Sequence, residues 1–209
     1  MNESLITFFH NPQSRSAGVR VLLEALGAPY EVRFIDFKAG ANRTPEFLAL
    51  NPLGKVPTIR YRDAVVTEQV AIYIYLADLF PAAGLAPAFD DPLRGSYLRW
   101  IAFYGATFEP AVVDRATKRP QLDASTSSYG NYDTMLQTLV EQLGRGDYLL
   151  GERFSAADVL WGSALRWTTG FGIVPELPAI RAYIDRVCAH PAFARAAELD
   201  AELLAGGRG

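Results

Sequence analysis

Cysteine is nearly absent. Cys188 stands alone in 209 residues, so no internal disulfide is possible, and with only His10 and His190 beside it no Cys/His cluster has metal-ligand spacing. Zinc sites and disulfide-stapled scaffolds drop out, and no metal is expected. Basic charge is not in excess either: 20 Lys and Arg against 23 Asp and Glu give a net charge of −3 and a pI near 5.4. Without a basic run there is no phosphate-tracking surface in view, so nucleic acid is not an expected partner. No uncharged stretch approaches the ~18 apolar residues of a membrane span. Met1-Asn2-Glu3-Ser4 lacks the basic region of a signal peptide, so the expectation is a cytoplasmic chain that meets no membrane. What is present is ordinary for a globular protein. Hydrophobic residues at 50% and charged residues at 21% exclude a disordered or collagen-like chain, and the length suits one large domain or two small ones.

The first 80 residues read differently from the rest. Leu5 to Phe9 is a buried-strand run, and from Ser14 the pattern turns helical, with Val19, Leu22, Leu23 and Leu26 on one face and Gly27 as the stop. Tyr30 to Phe37 alternates as a second strand, which makes a βαβ unit with a parallel pair. Thr44-Pro45-Glu46 opens a short helix, Val56 to Tyr61 and Ala64 to Thr67 form a hairpin around Arg62-Asp63, and Glu68 to Leu79 is helical. The order is βαβαββα over residues 1–80. Pro81, Gly84 and Pro87 mark a linker over 81–91. Residues 92–209 then read as an all-α bundle, with helices near 92–117, 125–143, 156–169, 177–189 and 192–204. Thr117 to Gly130 is polar enough for a mobile connection, and the tail Gly206-Gly207-Arg208-Gly209 is expected to fray. The fold class is α/β plus all-α.

Three polar constellations fall in the first 80 residues. His10-Asn11-Pro12-Gln13-Ser14-Arg15-Ser16 lies between a strand's carboxyl end and a helix's amino end, where open α/β sheets bind ligands. Free N–H groups and the helix dipole there favour an anion such as a thiolate or carboxylate, and Ser14 or Ser16 adds a hydroxyl. The simpler reading is that Ser14 is the N-cap. Ser-His-Asp hydrolysis is disfavoured, since no G-x-S-x-G elbow exists and His10 sits where a strand exits. The second constellation is Asn51-Pro52-Leu53-Gly54-Lys55-Val56-Pro57-Thr58-Ile59, with a proline opening a strand. A cis Val56-Pro57 bond would turn the Val56 N–H and C=O outward, open to a peptide-like ligand. Lys55 is either a point charge for a carboxylate or a solvated surface residue. The third is Thr67-Glu68-Gln69, where a helix N-terminus can hold a second carboxylate and Glu68 an ammonium, or where these are ordinary first-turn residues.

In this order, and followed by a helical domain, these motifs resemble the glutathione transferase family, in its soluble, bacterial, serine-type form. N-P-L-G-K-V-P followed by T-E-Q-V-A-I-Y-I-Y-L-A is similar to the family's glutathione-binding stretch, and the likeness runs over nearly the whole chain. It implies a thioredoxin-like N-terminal domain with a cis proline at Pro57. It further implies Val56 pairing with the cysteinyl part of glutathione, Lys55 and Asn42 at the glycyl carboxylate, and Glu68 with Gln69 at the γ-glutamyl end. Gln69 departs from the serine more usual after that glutamate. With no cysteine before Cys188 and no tyrosine before Tyr30, thiol activation falls to a serine, best matched by Ser14, with Ser16 or Asn11 as alternatives. Glutathione is the implied co-substrate. The resemblance also implies a detoxifying homodimer that attacks a small hydrophobic electrophile held by the helical domain, with Phe103, Tyr104 and Trp167 as pocket residues. Isomerase, dehalogenase, peroxidase and non-catalytic adaptor versions of the fold remain open. Gly151 to Asp158 resembles the family's capping box, with Ser155 at the N-cap and Asp158 reaching back, a folding device.

Overall fold

The computed structural model describes residues 5–120 and 122–206, so residues 207–209 of the tail expected to fray lie outside the described residues. The chain divides into two compact units, one running up to Ala83 and taking in the chain again from Pro191, the other Gly84–His190. Among the described residues no helix is long and apolar enough to cross a membrane.

The first unit holds β1 (Ile6–His10), α1 (Ser16–Leu26), β2 (Tyr30–Phe34), α2 (Pro45–Leu50), β3 (Thr58–Tyr61), β4 (Ala64–Val66) and α3 (Gln69–Leu79). The expected βαβαββα order is present. The strands make one sheet in the order β2-β1-β3-β4, with β1 parallel to β2 and antiparallel to β3, and β4 antiparallel to β3. Side chains of β1 alternate across the sheet. Phe9 packs with Ile35 and Phe47 on the α2 side, while Phe8 and His10 stack together on the opposite face. The strand expected over Tyr30 to Phe37 stops at Phe34, because β1 ends at His10 and the last bond across the pair runs from the Ile35 N–H to the His10 carbonyl at 2.8 Å. Gly27 ends α1 in the left-handed conformation at φ 61°.

The second unit contains α4 (Arg94–Phe103), α5 (Glu109–Ala116), α6 (Tyr132–Leu143), α7 (Ala156–Gly170) and α8 (Pro178–Cys188). One continuous helix was expected over 92–117; instead Tyr104–Phe108 widen to π-helical between α4 and α5. Pro110 explains the break, since it has no N–H to continue the α-helical ladder. The helix expected from 125 starts at Tyr132, where the Asn131 side chain accepts the Thr134 N–H at 2.8 Å. Trp100, Tyr104, Phe108 and Trp161 form the aromatic centre, and the Trp161 indole N–H donates to the Trp100 carbonyl at 2.9 Å. Asp158 is fully buried beneath α7's first turn, as the capping-box reading expects.

Residues 191–209 read from sequence as part of the helical domain. In the structure α9 (Pro191–Gly206) packs on α1 within the first unit, because Asp200 is drawn to the buried Arg20 and His10.

Candidate functional site

Sheet topology brings the three polar constellations to one edge. β1 runs out to His10, and its antiparallel neighbour β3 begins beside that end, Thr58 opposite Phe9. β4 then runs parallel to β1 and delivers α3 to the same edge. Accordingly the Gln69 amide reaches across to donate to the Arg15 carbonyl at 3.3 Å.

The segment from 51 to 57 is held from within. Buried Asn51 accepts the Leu53 N–H at 3.1 Å and donates to the Lys55 carbonyl at 2.9 Å and the Thr58 hydroxyl at 3.1 Å. Asn42 donates to the Gly54 carbonyl at 3.0 Å. Asn42, expected at a carboxylate, is thus at least partly committed to holding this turn. The Val56-Pro57 bond is cis. Val56 makes no main-chain hydrogen bond among the described residues, and Lys55 is exposed beside it. Glu68 sits at the N-cap of α3 with φ 63° and ψ 118°, a conformation costly for a residue with a Cβ, and its side chain is exposed.

The loop after β1 sorts the three candidates for the sulfur. Asn11 is buried, its amide donating to the Ile35 carbonyl at 2.8 Å and its Oδ1 accepting the Gln13 N–H at 2.9 Å, so both ends of its side chain are engaged in the fold. Ser16 has 0% exposure. Its Oγ lies 2.7 Å from His10 Nδ1, 2.8 Å from Ser14 Oγ and 2.9 Å from the Asn11 carbonyl, and accepts the Asn11 N–H at 3.1 Å. With no exposed surface Ser16 cannot meet a ligand atom, which corrects it as a direct contact. Ser14 is half-buried and keeps an open side. It is also more than an N-cap: α1 starts at Ser16 with Arg15 at the cap position, and Ser14 Oγ accepts the Ser16 N–H at 3.1 Å while lying 2.7 Å from the Asn11 carbonyl.

Behind Ser16 stands a group the sequence did not single out. His10 Nε2 is 2.9 Å from Asp200 Oδ1, the same oxygen that takes the Arg20 guanidinium at 2.5 Å, and Arg20 also reaches the Tyr30 hydroxyl at 3.3 Å. The one advance sign was Arg20 itself, a charge on α1 between Val19 and Val21, where a partner is needed.

Burial lowers the His10 imidazole below its ordinary 6.5, against Asp200, which raises it; burial lowers His190, stacked on Phe154 at 5.0 Å, in the same direction. The unfolded chain therefore binds more protons than the folded one just below that value. Stability is fully present above the unfolded pKa and falls as pH drops through the folded one. Urea midpoints taken from about pH 7.5 to about 5.5 should decline, less so in His10→Gln; a midpoint that climbs on acidification contradicts this sign.

In the second unit the Tyr104 ring is 2% exposed, stacked on Phe108 and edge-on to Trp161, with its hydroxyl donating to Glu109. That corrects Tyr104 from pocket residue to core residue: aromatics at helical spacing fill the centre first. Phe103 and Trp167 are half-buried, and Trp167 meets an exposed Phe171.

The family described as glutathione S-transferase, N-terminal domain, matches residues 4–78, and glutathione S-transferase, C-terminal domain, matches residues 110–186. Glutathione S-transferase GST-4.5 of Xanthomonas campestris is 30% identical over 190 residues, 87% of this chain and 92% of its own. Glutathione S-transferase F13 of Arabidopsis thaliana is 26% identical over 191 residues, 85% and 87% of the two chains. A glutathione transferase structure from Methylococcus capsulatus superposes with TM-score 0.78 at 28% identity, covering 94% of this chain and 98% of that one. A sphingomonad glutathione S-transferase complexed with glutathione gives TM-score 0.77 at 30% identity, over 93% and 98%.

Proposed function

Because the chain belongs to the glutathione S-transferase family, we propose that it binds glutathione at the β1–β3 edge and activates the thiol as thiolate for attack on a small hydrophobic electrophile. One observation carries the reading: the open side of Ser14, the unpaired Val56 main chain and the start of α3 lie on one sheet edge. An extended peptide can add to Val56 as a further strand. Lys55 suits the glycyl carboxylate, while Glu68 and the α3 N-terminus suit the ammonium and carboxylate of the γ-glutamyl end. The cysteinyl sulfur then falls to Ser14.

Lowering a thiol pKa by about two units needs roughly 2.7 kcal/mol of preferential thiolate stabilisation, within reach of one hydroxyl and a helix N-terminus. Attack on the electrophile then draws mainly on thiolate supply and proximity. Phe103 and Trp167 remain the candidates for holding the electrophile. The same reading takes a cytoplasmic, detoxifying homodimer as its setting.

Calorimetry tests the binding: glutathione should give saturable heat, and a folded protein that gives none at millimolar concentration turns the reading to a non-catalytic adaptor. Ser14→Ala should raise the apparent pKa of bound glutathione by about one unit with little change in affinity, since the hydroxyl favours thiolate over thiol. An unchanged thiol pKa in that variant removes Ser14 from the sulfur.

A further inference from the structure

We propose, resting on the glutathione reading above, that Asp200, His10 and Ser16 form a buried proton relay ending on Ser14, through which the proton leaving the glutathione thiol is taken up by His10. The contacts are continuous: Asp200 to His10 at 2.9 Å, His10 to Ser16 at 2.7 Å, Ser16 to Ser14 at 2.8 Å. The two inner members, His10 and Ser16, are enclosed, and of the two ends Ser14 is the one on the glutathione side, Asp200 at the far end being 15% exposed. His10 and Ser16 are both at 0% exposure, so the Ser-His-Asp geometry here cannot serve acyl transfer, because no carbonyl can reach the Ser16 oxygen.

Proton inventory fixes the direction. A carboxylate only accepts, so Nε2 of the neutral imidazole carries the proton toward Asp200 and Nδ1 is an acceptor for the Ser16 hydroxyl. Ser16 Oγ in turn accepts from Ser14, and Ser14 Oγ is left able to accept from a thiol. When the S–H bond breaks, its proton goes to Ser14 Oγ, that of Ser14 to Ser16 Oγ, and that of Ser16 to His10 Nδ1. Each serine loses one proton and gains one. A neutral thiol and a neutral imidazole become thiolate and imidazolium, with no oxidant or reductant, and the chain of donors now points outward at the sulfur.

The groups facing His10 set how far this goes. Burial is the largest influence and opposes the imidazolium; Asp200 on α9 favours it without reversing that lowering, and Arg20 on α1, bonded to the same carboxylate oxygen, opposes it. Tyr30 on β2 and Glu24 on α1 hold Arg20 in place, Tyr30 donating to Glu24 at 2.5 Å. Phe8 stacks on the ring at 4.7 Å and fixes its plane. The Asn11 carbonyl, 2.7 Å from Ser14 Oγ and 2.9 Å from Ser16 Oγ, gives both hydroxyls a resting acceptor when the relay is idle. His10, Asp200 and Ser16 are positioning residues in this scheme, since none touches the substrate.

The experiment titrates enzyme-bound glutathione by thiolate absorbance in the full-length wild type, His10→Gln and Ser16→Ala, with calorimetric Kd alongside. His10→Gln removes the base; Ser16→Ala removes one oxygen and cuts the relay while leaving His10 and Asp200 intact, so it keeps the proposal testable should His10→Gln fail to fold. Both should raise the bound thiol's pKa by at least about one unit, ~tenfold less thiolate below it, at unchanged Kd. The acid limb of the rate–pH profile should move with it. Normal Kd with a wild-type thiol pKa in Ser16→Ala overturns the relay and leaves the glutathione reading standing. A wild type that binds no glutathione overturns the reading beneath it, and the relay with it.

Discussion

Asp158→Ala is expected to lower stability by about 3–5 kcal/mol while leaving turnover per folded molecule nearly unchanged. The carboxylate has 0% exposure and serves four donors: the Ser155 N–H and hydroxyl at 2.9 Å each, and the Leu149 N–H and Tyr183 hydroxyl at 2.8 Å each. An N-cap alone accounts for about 0.5–2 kcal/mol. Here truncation also strands donors from the 149 turn and from α8, in a place water does not reach, at about 1–3 kcal/mol for each unsatisfied group. These do not simply add, and losing a buried charge returns part of the cost, since burial already pushes the Asp158 carboxyl above its ordinary value. Against a typical total of about 5–15 kcal/mol the loss is large. Urea denaturation with turnover normalised to folded protein is the measurement. An unchanged midpoint with collapsed turnover would move Asp158 from the fold to the chemistry.

Gly54→Ala should damage binding and stability together. At φ 62° a Cβ costs about 1–2 kcal/mol by itself. It would also stand 2.7 Å from the Asn42 carbonyl oxygen and 2.9 Å from the Arg43 guanidinium. The arginine can swing aside; the backbone oxygen cannot, and Asn42 is the residue whose amide holds the Gly54 carbonyl. The turn must therefore open, carrying Lys55 and Val56 with it. About 2–4 kcal/mol of stability and more than ~tenfold in glutathione affinity are expected to go. Gly40→Ala is the control, with a similar φ of 74° and nothing within 4 Å of the added carbon. Equal losses in the two variants would mean backbone strain alone acts and the Asn42 contact is idle.

Local signals carried most of what could be read from the residues. Gly27 as a stop, Thr44-Pro45 as a start, the apolar face of α1 and the Ser155–Asp158 box act over a few residues, and each is where the pattern places it. The 51–58 segment was legible for the same reason, the bonds of Asn51 closing within seven residues. Pairings across the chain were not. Nothing in His10-Asn11-Pro12 announces a carboxylate 190 positions away, so the histidine looked like a strand end. Ser14 was the better match but Ser16 stayed open until α1's phase was fixed: two residues along a helix start separate a buried serine from a half-buried one. Tyr104 was misplaced because helical spacing says which side chains share a face and not which face is buried.

The return of α9 to α1 sets an order of events during synthesis. β1 leaves the ribosome with His10 and Ser16 well before the acid that completes their hydrogen bonding, which lies 190 positions after His10. Gly84–His190 is contiguous and free to fold as it emerges, at about 5–20 residues per second, while the first unit waits for its closing helix. Until Asp200 arrives, the Arg20 and His10 nitrogens that face it have only water to bond, so the nascent first unit is expected to stay unfinished long enough for chaperones and proteases to act.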